Sequence, residues 1–449
     1  MVITLVIDLF GDKNNGTTIT AMRTARLLKE FGNEVRIIAF VPDSADDDDL
    51  KDFKVLRCEK VSIPLFDWIV TANGFTFADC DEKKIAEFIK GSDVVHVMLP
   101  FLLEAKARKV AKVMSIPVTS AYHLQPDSIS YNIHMGHFQP VNALIYRLLY
   151  KWLYRYTRTI HTPSETMRSL MIYHHYHGDI HAISNGVSSY FEPEPAEKPE
   201  ELKDKYVILM VGRLSGEKRQ DIIINAVGKS KYNDKIQLIF CGQGPNKKHL
   251  IKLSEKVLKN QPIFKFCTQR ELKRVINYSD LYIHASDIES EAIACIEAFA
   301  CGRVPIISDS KYSATNHFAL DKKCLFKAGN PDSLCEKIEY FIEHPEEVKE
   351  LSSKYIEYSK EFEIASKAKA LEEMMKLEIE RDKEDHKEGR TYYSTMRERR
   401  HLKRVAKKIG LENPYIVKKD IYHQTDEYNN EEERKKMKSK GAVKEFDHF

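Results

Sequence analysis

The chain reads as an α/β protein with two doubly wound parallel sheets and a charged tail that is helical or disordered. Short β-branched apolar runs alternate with helical periods over residues 2–122, and the same rhythm restarts after Tyr206. Between them FEPEPAEKPEE (191–201) loses its periodicity and gathers Pro and Glu. Continuous apolar strands separated by helices predict a parallel sheet covered on both faces. A Pro- and Glu-rich break predicts an extended linker. With 449 residues, 43% of them hydrophobic and 31% charged, the chain can form two cores plus appendages. The predicted boundaries are 1–190 for the first Rossmann-like domain, 191–205 for the linker, 206–375 for the second domain and 376–449 for the tail.

In the first domain the strands are VITLVIDLF (2–10), EVRIIAF (34–40), DVVHVML (93–99) and IPVTSAY (116–122), with helices over 20–31, near 82–90 and near 101–113. In the second they are YVILMVG (206–212), IQLIFCG (236–242), FKFC (264–267), DLYIHAS (280–286) and VPIISDS (304–310). Open parallel sheets bind ligands beyond the carboxyl ends of their strands, so two such domains predict an interdomain cleft. No repeat period is present.

Composition narrows the function. A net charge of +3 gives no global field for nucleic acid. The eight cysteines form no CxxC pair and read as small core residues. The chain opens on a strand without a basic and apolar leader, and no run approaches 18 apolar residues, so a cytoplasmic location is expected. SADDDDL (44–50) reads as a solvated acidic loop, and the histidines at 134, 137, 174, 175 and 177 lack the spacing of a closed metal site. No metal is expected.

Two segments bear on membranes. In 138–158, Leu144, Ile145, Leu148, Leu149, Trp152 and Leu153 share a helical face, while Arg147, Lys151, Arg155 and Arg158 line another side. Such a helix either lies in a lipid headgroup layer or packs in a core with a basic edge. Residues 387–410 carry nine Lys or Arg against two Glu, a local charge of 9 − 2 = +7. Disorder is the first reading there, lipid contact the second and nucleic acid the last.

Three motifs could carry chemistry. In ESEAIACIEAFACG (289–302), two glutamates eight apart lead into a segment that reads as a helix start, where a carboxylate can accept from a vicinal diol and backbone N–H groups attract phosphate. VGRLSGEKRQ places Gly212, Arg213 and Lys218 at a strand-to-helix turn, able to face a diphosphate. CGQGP (241–245) ends the next strand with Gly242 and Gly244, either a plain turn or a place of close backbone approach.

Taken in order, Arg213 with Lys218, Gly242 with Gly244, DLYIHAS, Glu289 with Glu297 and EAFACGRVPIIS resemble the donor domain of retaining GT-B glycosyltransferases of family four. NNGTT (14–18), DVVHV (93–97), the YH at 122–123 and SNGV (184–187) resemble the same family's amino-terminal half. The resemblance spans residues 1–375. It implies that Arg213 and Lys218 hold the nucleotide diphosphate, Glu297 binds the ribose and Glu289 contacts donor-sugar hydroxyls. Backbone N–H groups near Ala292 and Ile293 would complete the phosphate site, with Gly212 and Gly242 lining the donor loops. Gly16 would lie where donor phosphate meets acceptor, and His123 near the reacting sugar.

Glu291 departs from the pattern, adding negative charge beside an anionic donor. Ala285 stands where a proline is frequent, and Asn316 where an acid is. The implied activity is metal-independent transfer of a hexose, glucose first, from a UDP-sugar to an acceptor such as a membrane glycolipid or cell-envelope precursor. The alternatives are a nucleotide-sugar epimerase of the same fold and a catalytically silent partner protein disabled by Glu291.

Overall fold

The computed structural model describes residues 1–12, 16–62, 76–132, 139–412, 414–416 and 430–439. The chain forms two compact units, Met1–Ile183 with Ala368–Phe449, and Ser184–Lys367. Asn14 and Asn15 of the glycine loop, His134, His137 and Phe138, and much of the chain beyond 416 lie outside the described residues.

In unit 1 the parallel strands β1 (Val2–Leu9), β2 (Glu34–Phe40), β3 (Lys54–Arg57), β4 (Val94–Val97), β5 (Val118–Ala121), β6 (Thr159–Thr162) and β7 (Asp179–Ala182) lie in the order β3-β2-β1-β4-β5-β6-β7. Ile3 pairs with Val35 on one side and Val94 on the other. Side chains alternate across a strand: Ile3, Leu5 and Ile7 join Ala21, Met22 and Leu28 of the helix Gly16–Glu30. Val6 joins Leu103, Ala107 and Val110 of the helix Leu102–Val113 on the other face. The order reverses at β1, which makes the carboxyl ends of β1 and β4 the switch point. SADDDDL contains a short helix, Asp47–Leu50, rather than a plain loop.

The expected tail is part of unit 1. The helix Ile364–Lys387 places Leu371, Met374 and Met375 against Ile3, Leu5 and Ile7. Asn33 Nδ2 donates to Glu372 Oε1 at 2.9 Å. Arg158 is buried between Glu378 and Asp385, each at 3.0 Å, so it is no headgroup-facing cation. Residues 387–410, expected to be disordered, hold the helix Met396–Ile409, capped by the Thr395 hydroxyl accepting from the Glu398 N–H. Its Leu402, Val405 and Ala406 enter the core, and Glu398 pairs with buried Arg108 at 2.5 Å. A buried guanidinium without that carboxylate would be an uncompensated charge. An apolar stripe hidden among cations, with one buried ion pair, orders what composition alone marks as solvated.

In unit 2, β8 (Tyr206–Val211), β9 (Ile236–Cys241), β10 (Ile263–Lys265), β11 (Leu281–His284), β12 (Pro305–Ser308) and β13 (Leu325–Phe326) are parallel in the order β10-β9-β8-β11-β12-β13. The expected linker is anchored in this unit: Phe191 and Leu202 are buried in its core, and the Glu194 N–H donates to Asn277 Oδ1 at 3.0 Å. The unit therefore begins before residue 206, at Ser184.

Candidate active site

The switch point of unit 2 lies between β8 and β11, and the motif residues gather beyond their carboxyl ends. Gly212 follows β8 with φ 154°, and the chain turns through Arg213 into the short 3-10 turn Gly216–Lys218. Lys218 Nζ binds Glu289 Oε2 closely, and His284 Nε2, ending β11, lies 3.2 Å from the same oxygen. Burial opposes ionisation of Glu289, but the Lys218 ammonium and the His284 contact outweigh it and pull its carboxyl down to about 2. Burial also works against the Lys218 charge, yet Glu289 and Glu217 raise its pKa above the ordinary value. Burial keeps His284 neutral by lowering its pKa. Arg213 makes no ion pair among the described residues and repels the Lys218 ammonium. Arg213 is therefore the cation left to meet an anion at the mouth of the strands, where Lys218 and Arg219 already face carboxylates.

His284 is a member of this cluster that motif reading passed over, as are Arg219 and Asp287. Arg219 takes the left-handed conformation at φ 53° and binds Asp287 at 2.7 Å and Asp221 at 3.1 Å. A cation after a lysine at a strand-to-helix turn was visible in VGRLSGEKRQ; its partner 68 residues on was not. Gly242 has a structural reason to be glycine: a Cβ there would lie 1.9 Å from the Gly212 carbonyl oxygen, and one at Gly244 2.3 Å from that of Leu214. The two loops stack backbone on backbone.

The helix expected from Glu289 begins later. Ile288–Glu289 forms a short parallel bridge with Tyr312–Ser313, and the helix runs Ile293–Ala300. Ala292 precedes it at φ 67°, ψ 67°. Glu297 is buried on the second turn of that helix, beyond its first N–H groups. Glu291 is buried and turned to Ser184 and Asn185, so its hydrogen-bonding capacity is used within the protein.

Gly16 and His123 belong to unit 1. Gly16 opens its helix, and a Cβ there would meet open space, so neither backbone nor neighbours require glycine. Beside it, a small hollow is lined by Ile7, Asp8, Leu9, Thr17, Thr18, Thr76 and Leu99. His123 follows β5 after Tyr122, whose N–H donates to the His161 carbonyl at 2.8 Å and whose ring is buried among Tyr146, Tyr154 and Tyr176. His161 stands edge-on to His123, ring centres 5.2 Å apart, and His96 lies 6.4 Å from His161. Burial pushes all three imidazoles down, His96 to about 3, His161 to about 4 and His123 well below its ordinary value. Asp8, near the end of β1, faces Glu104; burial raises both carboxyls, Asp8 to about 7, and the Asp8 carboxyl raises Glu104 further. Among the described residues no group of three metal-ligating side chains converges.

On the helix Gln139–Trp152 the expected apolar face is divided. Leu153 is buried just beyond it and Leu149 packs on the core, whereas Leu144, Leu148 and Trp152 are 54%, 56% and 46% exposed beside exposed Arg147 and Lys151. No described helix is long and apolar enough to cross a membrane.

The chain matches the family model of Glycosyltransferase Family 4 over residues 14–189 and that of Glycosyl transferases group 1 over 192–362. It is 24% identical over 324 residues to a GDP-mannose-dependent alpha-mannosyltransferase of Corynebacterium glutamicum, covering 68% of this chain and 72% of that one. It is 24% identical over 338 residues to an alpha-monoglucosyldiacylglycerol synthase of Streptococcus pneumoniae, covering 72% and 74%. Among solved structures, Anabaena HepE in complex with UDP and glucose is similar with a TM-score of 0.65 at 16% identity, over 84% of this chain and 99% of that one. Sucrose-phosphate synthase from Thermosynechococcus elongatus gives 0.66 at 15%, over 84% and 99%. The structural likenesses show the fold.

Proposed function

The chain belongs to the GT-B glycosyltransferases, with a family 4 amino-terminal region and a group 1 carboxyl-terminal region, and from that premise we propose that it moves glucose from UDP-glucose to a lipid-borne hydroxyl with retention at the anomeric carbon. The cluster of Lys218, Glu289 and His284 at the switch point of unit 2, with Arg213 beside it, carries this reading. Arg213 and Lys218 take the diphosphate, with backbone N–H groups near Ala292 and Ile293 adding donors at the helix start. Glu289, held ionised, accepts from donor-sugar hydroxyls, and Glu297 accepts from the ribose diol. Gly212 and Gly242 shape the stacked loops around the phosphates. In unit 1, Gly16 leaves room for the reacting groups and His123, kept neutral, hydrogen-bonds the sugar.

In the transfer, the bond from C1 to the phosphate oxygen breaks and the bond from C1 to the acceptor oxygen forms. UDP leaves with the electron pair, and the acceptor proton passes to the leaving phosphate oxygen. The two cations stabilise charge as it develops there, where fixed charges are most effective. This arrangement meets the diphosphate charge with protein groups and needs no metal in the step.

UDP and glucose in the HepE structure support the donor, whereas the mannosyltransferase relative uses GDP-mannose by its name. A lipid acceptor is supported by the glucosyldiacylglycerol synthase relative and by exposed Leu144, Leu148 and Trp152 beside Arg147 and Lys151. An apolar stripe with a basic flank suits the interface of an anionic membrane. Exposed cations at 397, 400, 403, 404 and 407 add to that attraction. The test is a donor panel of UDP-glucose, UDP-galactose and GDP-mannose, read by nucleotide release with and without diacylglycerol vesicles. UDP-glucose is expected to turn over fastest and vesicles to stimulate it. Preference for GDP-mannose overturns the donor assignment, and stimulation by soluble sugars alone overturns the acceptor.

A further inference from the structure

Glu291 and the SNGV segment have no part in the transfer just described, yet they are joined. The Glu291 carboxylate, 3% exposed, accepts from the Ser184 hydroxyl, from the Asn185 N–H at 3.0 and 3.2 Å, and from Asn185 Nδ2 at 2.5 Å. The partner segment is itself fixed. Ser184 Oγ accepts from the Gly186 N–H at 3.0 Å, and Gly186, at φ 75°, packs so tightly that a Cβ would come within 2.6 Å of Ile364 Cα. The Val187 N–H donates to Phe362 O at 2.7 Å, and its carbonyl accepts from the Ile364 N–H at 3.0 Å.

The residue after Glu291 is Ala292, whose left-handed backbone is unfavourable for a side chain with a Cβ and persists when surrounding contacts enforce it. Two residues earlier, Glu289 is clamped by Lys218 and His284. The turn 290–292 thus runs between a fixed carboxylate and the first N–H groups of the helix, with Glu291 gripping it midway. Donors surround both carboxylate oxygens, the arrangement that stabilises a buried acid.

We infer that Glu291 is a positioning residue: by holding Ser184 and Asn185 it keeps Ala292 left-handed, and so aims the helix-start N–H groups and the Glu289 carboxylate at the donor. This rests on the donor-site reading above. The departure from the family pattern is thereby a support built inward rather than a charge set against the ligand.

The test measures UDP and GDP binding by calorimetry, and donor and acceptor KM, for full-length wild type, Glu291→Ala, Asn185→Ala and the double variant. Loss of these buried hydrogen bonds is expected to weaken nucleotide binding and raise donor KM by about tenfold. Acceptor KM should stay unchanged, and the double variant should be no worse than Glu291→Ala. Glu291→Gln, which retains one acceptor oxygen, should recover part of the loss. Unchanged nucleotide affinity in both single variants, whether or not their melting temperatures fall, overturns the proposal. Wild type that binds neither nucleotide overturns the donor reading itself. Should Glu291→Ala fail to fold, Asn185→Ala and Ser184→Ala provide the same comparison.

Discussion

The carboxyl edges of the two sheets solve the problem of polar residues in opposite ways. In unit 2 the edge keeps its paired charges, with Glu289 ionised against Lys218 and Arg219 binding Asp287 and Asp221, although burial holds His284 neutral and raises Glu291 to about 7. In unit 1 the edge discharges them: His96, His123 and His161 are held neutral by burial, and Asp8 and Glu104 are pushed toward the protonated form. Fixed, paired charges suit an anionic diphosphate that arrives fully ionised. Neutral imidazoles and acids suit an uncharged hydroxyl, which offers and accepts hydrogen bonds without bringing a counter-charge. The contrast supports the proposed division of ligand chemistry between two units whose first six strands share one order.

The largest expected effect comes from removing charge where charge is kept. Arg213→Ala with Lys218→Ala should lower kcat/KM for transfer by about 10³-fold or more and abolish saturable UDP binding, with the circular dichroism spectrum of the folded protein retained and its melt lowered by the unpaired Glu289. Undiminished turnover would show that unit 2 does not handle the diphosphate through these groups. On the neutral edge, His123→Gln should cut transfer by about 10²-fold while UDP affinity stays as in wild type. A parallel loss of UDP affinity would erase the proposed division of labour.

The smallest effect sharpens the electrostatic side. His161 is pushed down to about 4 in the folded protein, against an ordinary value of 6.5. The unfolded chain therefore takes up a proton first as pH falls, so this group's contribution is complete above about 6.5 and is lost on acidification toward 4. His161→Gln should reduce the difference between denaturation midpoints at pH 7 and pH 5. An unaltered difference would mean that His161 does not stay neutral in the fold.

The strands rich in β-branched residues were legible because their burial is written into the run itself, as in VITLVIDL and YVILMV. KVLR, TIHT and DIHA were not, since each is four residues long and carries polar side chains whose strand character comes from pairing with neighbours. The candidate donor-site residues Arg213, Lys218 and Glu289 stand in recognisable spacing, and the structure brings Lys218 and Glu289 into contact. His284 reads as part of a strand because nothing local says that its ring meets Glu289. The helix starts later than the sequence suggests because Ser-Glu-Ala has ordinary helical composition, while Ala292 takes the left-handed turn. Hardest of all was the return of residues 368–409 to unit 1. The Asn33–Glu372 hydrogen bond spans 339 positions and leaves no periodic trace in either segment.

That return has a consequence for synthesis on the ribosome. Unit 2 is one uninterrupted stretch, Ser184–Lys367, whereas the core against β1 includes Leu371, Met374 and Met375. Although Met1–Ile183 emerges first, its apolar surface stays uncovered until those later residues leave the exit tunnel, so the second-made unit is the first that can close. The nascent amino-terminal portion is therefore the stretch most in need of chaperone protection during translation.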